Sequence, residues 1–157
     1  MIVRLIPLDE AGTEALLAVA VAQAEPAEVM PVDGPTGWTE ATKAAFRDFH
    51  AAHRDGALGT VMYAIDVRGE TAGMIRLARV GPGVAETGMW LGRAMRSKGV
   101  GVDALRALLE IAVETGFHTV RAETTPDNTA AIRALARCGA VLTTTPTSVT
   151  AELHPTS

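Results

Sequence analysis

The sequence predicts an α+β fold: one domain built on a mixed, mostly antiparallel central sheet flanked by helices. Three observations carry this. Three β-rich runs, 60–67, 71–80 and 84–92, are separated only by "RGE" and "GPG", turn chemistry that makes an antiparallel meander. A helical run (99–116) and a further strand (117–125) follow directly, and strand–helix–strand is the pattern of a crossover between parallel neighbours. The 157 residues, 48% hydrophobic and 20% charged, suffice for one core but not two, so a single domain is expected over 1–157.

Each element follows from local chemistry. "MIVRLIPL" (Met1–Leu8) is a short strand closed by Pro7. Asp9 opens an Ala- and Leu-rich helix, "DEAGTEALLAVAVAQAE", weakened by Gly12. "PAEVMPVDGPTGW" (Pro26–Trp38) holds three prolines and two glycines and reads as a long loop without regular structure, a class of segment that is often functional. Thr39 caps the next helix, which runs to Gly56 with Ala45, Phe46, Phe49 and His53 on one face. The meander comes next. The helix after it carries an apolar stripe of Val102, Leu105, Leu109, Ala112 and Val113 and stops at Gly116. Asn128 caps "NTAAIRALARC", Gly139 ends it, and "AVLTTTPTSVTAEL" closes the chain as a hairpin around Thr145–Ser148.

Composition excludes several classes. A formal net charge of −4 argues against a nucleic-acid binder. No apolar run is long enough to span a bilayer, and Ala15–Ala22 follows acidic residues rather than a basic leader, so no membrane partner is expected and a cytoplasmic location is. The lone cysteine, Cys138, forms no internal disulfide and no cysteine zinc site, and the scattered histidines lack metal-ligand spacing, so no metal is expected.

The most informative stretch is "MRSKGVGVDALRALLEIAVETG", Met95–Gly116. Two cations, Arg96 and Lys98, and two glycines, Gly99 and Gly101, stand where a strand hands over to a helix. Free backbone N–H groups at a helix start, together with the helix dipole, favour an anion. Glycines let a phosphate approach the backbone closely. The spacing is not that of a P-loop, and the antiparallel meander before it is not a dinucleotide-binding half. An ordinary turn with solvated cations remains the other reading.

"RSKGVG" (Arg96–Gly101) resembles the R/Q-x-x-G-x-G/A loop of the GNAT superfamily of acyl-CoA N-acyltransferases. "NTAAIRALARCGA" (Asn128–Ala140) resembles a second element of that superfamily. "AETGMWLG" (Ala85–Gly92) resembles a strand of its RimJ/RimL-like branch. The three keep the family order and cover Val84–Ala140. The resemblance implies a single GNAT-like domain that uses acetyl-CoA as cosubstrate. It implies that the coenzyme pyrophosphate lies on the main chain of Arg96, Ser97, Lys98, Gly99, Val100 and Gly101. The pantetheine arm would pair with the main chain of Trp90, Leu91 and Gly92, and Asn128 matches the asparagine that contacts that arm. Asn128 is equally a plain helix cap.

Glu86 matches the glutamate of the branch strand and is the candidate general base, or else a surface or acceptor-binding carboxylate. A backbone N–H near Leu91 is the expected oxyanion donor. The tyrosine that serves many relatives as general acid is replaced by Leu135, and the only tyrosine, Tyr63, lies elsewhere. Cys138 reads as a small core residue ahead of a nucleophile. His50 and His53 could line an acceptor cleft, and Met30, Trp38 and Trp90 could form its apolar wall, with core packing the other reading of Trp90. The implied partner is a small-molecule or peptide amine, and the C-terminal hairpin allows a homodimer. A non-catalytic acyl-CoA-binding module and a nucleotide-binding domain of another kind are the competing readings.

Overall fold

The computed structural model describes residues 2–34 and 36–156, so Met1, Pro35 and Ser157 lie outside it. The order of elements is β1 (Val3–Pro7), α1 (Glu10–Gln23), α2 (Pro26–Val29), α3 (Glu40–His53), β2 (Thr60–Val67), β3 (Glu70–Gly81), β4 (Val84–Leu91), a 3-10 turn (Arg93–Met95), α4 (Val100–Glu114), β5 (Thr119–Thr124), α5 (Thr129–Arg137), β6 (Val141–Thr144) and β7 (Val149–Leu153). This is the expected α+β domain, with two additions. The 3-10 turn was not anticipated. The stretch read as a structureless loop begins with one helical turn, α2: Pro26 stands at its start, and Glu25 and Glu28 close a reciprocal capping box.

The meander forms because its turns supply what the strands need. Arg68 and Gly69 both take positive φ, 53° and 87°, as a tight two-residue reversal between β2 and β3 requires. One sheet of seven strands results, in the order β1-β2-β3-β4-β5-β7-β6. β7 lies between β5 and β6, so the C-terminal hairpin joins the sheet through its second strand. β4 and β5 are the parallel pair, and they share only Val84↔Thr119, Ala85↔Val120 and Glu86↔Arg121. Beyond Glu86, β4 continues to Leu91 paired with β3 alone, leaving a wedge-shaped opening in the middle of the sheet.

Each face of the sheet has its own core. Ile65, Ile75, Leu77, Ala85 and Val120 pack against α4 and α5 on one side. Met62, Ala64, Met74 and Trp90 pack against α1, α2 and α3 on the other. The one-residue alternation between the two sets is the strand period itself. Two faces differ from expectation. The buried stripe of α4 is Val100, Ala104, Leu105, Leu108 and Ala112, while Val102, Leu109 and Val113 are only partly covered. The buried stripe of α3 is Thr42, Phe46 and His50, and Ala45 is exposed. Among the described residues no helix is long and apolar enough to cross a membrane.

Candidate active site

The glycine-bearing loop joins the wide end of the opening to α4. β4 ends at Leu91, and the N–H of Gly92 returns to Ala72 O in β3 at 2.9 Å. After the 3-10 turn, Ser97 and Gly99 take left-handed φ values of 61° and 82°, and α4 starts at Val100, whose buried side chain fixes that start in the core. Among the described residues no side chain caps this helix. The N–H groups of Ser97, Lys98, Gly99, Val100, Gly101 and Val102 donate to no acceptor among the described residues. A Cβ at Gly101 would meet only Met89 Cε at 3.6 Å and Leu91 Cδ1 at 3.9 Å, ordinary contacts, so the position tolerates alanine as the motif does. The result is a row of unclaimed donors at a helix N-terminus, suited to a phosphate.

The two cations behave differently. Lys98 is exposed and has no ion-pair partner among the described residues. The guanidinium of Arg96 turns back from the loop, donating from Nε to Leu91 O at 2.9 Å and from Nη2 to Glu28 Oε2 at 2.7 Å.

Main-chain direction alternates along a strand edge. Because Gly92 bonds to β3, its neighbour Leu91 faces the opening, as does Met89, while Trp90 shares the β3 side with Gly92. Of the three residues expected to pair with a pantetheine arm, Leu91 alone turns its main chain toward the opening, where Arg96 Nε already holds its carbonyl and its N–H is unclaimed among the described residues. Met89, which sequence reasoning missed, offers the second. The needed signal was the strand period anchored at one hydrogen bond.

Glu86 stands at the last β4–β5 rung, where the opening begins. Its Oε1 accepts from Arg76 Nη2 at 3.0 Å, and its Oε2 has no partner among the described residues. Gly88 makes room for this pair: a Cβ there would come within 3.0 Å of Arg76 Nε. On the same face lies a groove of about 520 Å³ lined by Glu86, Arg121, Glu123, Thr143, Thr150, Glu152 and His154. Within it Arg121 Nε lies 3.6 Å and His154 Nε2 3.1 Å from the Glu152 carboxylate. Arg76, Arg121, Glu152 and His154 were not anticipated, since only the strand register brings them beside Glu86.

The remaining candidates sort by burial. Asn128 caps α5, its Oδ1 accepting from Ala131 N at 3.2 Å. Trp90 is 6% exposed in the core beside α1–α3, and its Nε1 lacks a partner among the described residues, so it packs the core rather than walling a cleft. His50 is fully buried, stacked on Phe46 at 3.9 Å between ring centroids, with Nδ1 2.8 Å from Phe46 O and Nε2 unpartnered among the described residues. Burial above all, then the charges of Arg54 and His53, hold its pKa below the usual histidine value. It lines no cleft, and His53 sits with Nδ1 2.8 Å from Phe49 O. Met30 is buried, and Trp38 is pinned by a 2.9 Å bond from Nε1 to Ala24 O. Together they plug the core beneath a shallow groove on the 30–45 segment. Leu135 is buried in the α4-side core, and Tyr63 packs against that core from β2, where burial raises its pKa. Burial also pushes the Cys138 thiol up, away from nucleophile chemistry. No group of three or more metal-ligating side chains occurs among the described residues.

A sheet opened between parallel β4 and β5, with unclaimed donors at the start of the connecting helix, makes a cleft that leads to a site suited to an anion. A family model described as "Acetyltransferase (GNAT) domain" matches residues 3–141. The chain belongs to this family of acetyltransferases. Among solved structures it is similar to RimL, a ribosomal L7/L12 alpha-N-protein acetyltransferase in complex with coenzyme A, at 20% identity and TM-score 0.75, covering 97% of this chain and 93% of that one. It is similar to Mycobacterium smegmatis RimJ at 17% identity and TM-score 0.81, covering 97% and 81%. It is also similar to MccE, a microcin C7 self-immunity acetyltransferase, at 14% identity and TM-score 0.73, covering 97% and 92%. No curated protein sequence matches it.

Proposed function

We propose that the protein moves an acetyl group from acetyl-CoA to a primary amine of a small molecule or peptide by direct attack in a ternary complex. One observation carries the reading. The opening between β4 and β5 is bounded at its narrow end by Glu86, a carboxylate with a free oxygen, and leads at its wide end to the row of unclaimed N–H groups. A phosphate-bearing thioester fits those two ends.

Bound acetyl-CoA would supply the activated acetyl thioester. The main-chain N–H groups from Ser97 to Val102, with the charge of Lys98, hold the pyrophosphate. The open edge at Met89 and Leu91 takes the pantetheine arm as an added strand. The N–H of Leu91 faces the same opening and steadies the carbonyl oxygen as it gains charge. Asn128 stays the cap of α5 and reaches the arm from the far side. The amine enters over the groove at Glu86. Its nitrogen bonds to the acetyl carbon, the carbon–sulfur bond breaks, and Glu86 Oε2 takes the amine proton, directly or through a water. The thiol leaves tolerably as thiolate, so Leu135 in place of a tyrosine is no obstacle.

Binding of acetyl-CoA, measured by calorimetry on the parent protein and on a Gly99→Glu/Gly101→Glu variant, tests the reading. Binding by the parent and its loss in the variant are expected. No binding by the parent would overturn the proposal. Release of free thiol across a panel of amines then identifies the acceptor. The Arg76–Glu86 ion pair favours a second reading, a coenzyme-binding module without transfer. Binding without thiol release from any amine would support that reading instead.

A further inference from the structure

The loop and the helix it faces carry matched charges at matched spacing. Arg93 and Arg96 lie three residues apart across the 3-10 turn, where such neighbours nearly eclipse. Glu25 and Glu28 lie three apart across α2. The two pairs meet rung by rung: Arg93 Nη2 is 3.5 Å from Glu25 Oε1, and Arg96 Nη2 is 2.7 Å from Glu28 Oε2. The end of α1 adds a third tie, Ala94 N donating to Gln23 Oε1 at 2.9 Å.

The Arg96 rung does more than pair charges. Its Nε holds the carbonyl of Leu91, the last residue of β4, so one guanidinium spans the strand end and α2. Glu28 is equally committed: its Oε1 accepts the Glu25 N–H that closes the cap of α2. Burial works to raise its pKa, and the Glu25 N–H and Arg96 outweigh it, so the carboxyl sits below its usual value. Downstream, α2 runs straight into Met30 and the segment that walls the second groove along α3.

We propose that Arg96 is a positioning residue: its guanidinium couples the glycine loop to α2, so that filling the loop tightens the segment from Glu25 to Gly34. The inference rests on the coenzyme reading above and goes beyond it. It makes Arg96 a strut through its side chain, with the loop's free positive charge left to Lys98. A lysine is a poor replacement, because it donates from a single nitrogen where the guanidinium uses two separate ones, Nε for the carbonyl and Nη2 for the carboxylate.

The test is hydrogen exchange of the peptide covering Glu25–Gly34, with and without saturating coenzyme A. The parent, Glu28→Gln and Arg96→Lys are compared, and coenzyme A affinity is measured in parallel. Glu28→Gln keeps an oxygen for the Glu25 N–H but turns an amide donor toward Arg96, so the cap survives while the rung breaks. In the parent, coenzyme A should slow exchange in this peptide about two- to five-fold, the range an exposed ion pair supports. In Glu28→Gln the slowing should vanish while coenzyme A still binds, and Arg96→Lys should lose it too despite keeping its charge. Equal slowing in parent and Glu28→Gln, or retained slowing in Arg96→Lys, would overturn the strut. So would coenzyme A binding to the parent with no change in the peptide. No binding of coenzyme A to the parent would remove the coenzyme reading first and the strut with it.

Discussion

Gly73 is the residue whose replacement most sharply tests how the opening is held. It sits opposite Leu91 on β3, and an added Cβ would lie 2.1 Å from Trp90 O and 2.9 Å from Leu91 Cα. Both are main-chain atoms, so no rotamer change relieves the clash; the strands must part by close to an ångström. Overpacking of this kind costs about 1–3 kcal/mol. The neighbouring Gly92 N to Ala72 O bond would weaken as well, adding about 0.5–1.5 kcal/mol. At about 2–4 °C per kcal/mol for a chain of this size, Gly73→Ala should lower Tm by roughly 3–18 °C. The end of β4 that offers Leu91 to the opening shifts with it, so coenzyme A affinity should fall in the fraction that remains folded. Gly88→Ala is the control: the nearest atoms its Cβ would meet belong to the movable guanidinium of Arg76, so its Tm should stay close to the parent's. Differential scanning calorimetry and a coenzyme A titration read both effects. A Gly73→Ala protein with parental Tm and affinity would show that the close approach is not what sets the strand spacing.

Further outcomes follow from single residues. Glu86→Gln should reduce turnover by about a hundredfold or more while coenzyme A still binds; parental turnover across a pH–rate series would leave Glu86 as an acceptor-face carboxylate. His50, neutral and buried, has a folded pKa below its ordinary 6.5, so the unfolded chain binds the extra proton first. Stability should therefore be full above that pH and decline as pH falls through it. Urea midpoints should show this slope in the parent and lose it in His50→Leu; an unchanged slope would place the effect elsewhere. Asn128→Ala should cost about 1 kcal/mol through the lost cap. A rise in coenzyme A Kd beyond that loss would mark a direct contact, and none would leave the residue a cap.

Much of the fold was legible because its signals are local. The turns "RGE" and "GPG" place β2, β3 and β4 nearly to the residue, and Asp9, Thr39 and Asn128 mark three helix starts with caps that the structure contains. The strand–helix–strand run after the meander specifies the parallel β4–β5 pair. Other features depend on contacts that no window contains. α4 is apolar on more than one side, and only packing on the sheet selects Ala104, Leu108 and Ala112, four residues apart, as its buried line. The insertion of β7 beside β5 did leave a trace, since Val149, Ala151 and Leu153 alternate as an inner strand does while Val141–Thr144 does not. α2 was hidden because prolines suggested a loop, although a proline at the first helical position and a Glu-x-x-Glu pair start a helix as well as they break one.

The site was legible as far as its main chain and no farther. A glycine pattern states what the backbone can do, and the unclaimed N–H groups from Ser97 to Val102 are its direct product. A cation pattern does not state where charge goes, because an arginine has several angstroms of reach and takes whichever acceptor the fold brings near. Arg96 and Lys98 look equivalent in "RSKGVG", yet the partner of Arg96 comes from 68 residues upstream and Lys98 has none among the described residues. Glu86 shows the same limit: strand alternation predicts its face, but only the β3–β4 register sets Arg76 beside it. Removing Arg76 therefore separates the two readings of that carboxylate. In Arg76→Gln, a catalytic Glu86 freed of its ion pair should change kcat. A carboxylate that only meets the acceptor should change KM and leave kcat at the parental value.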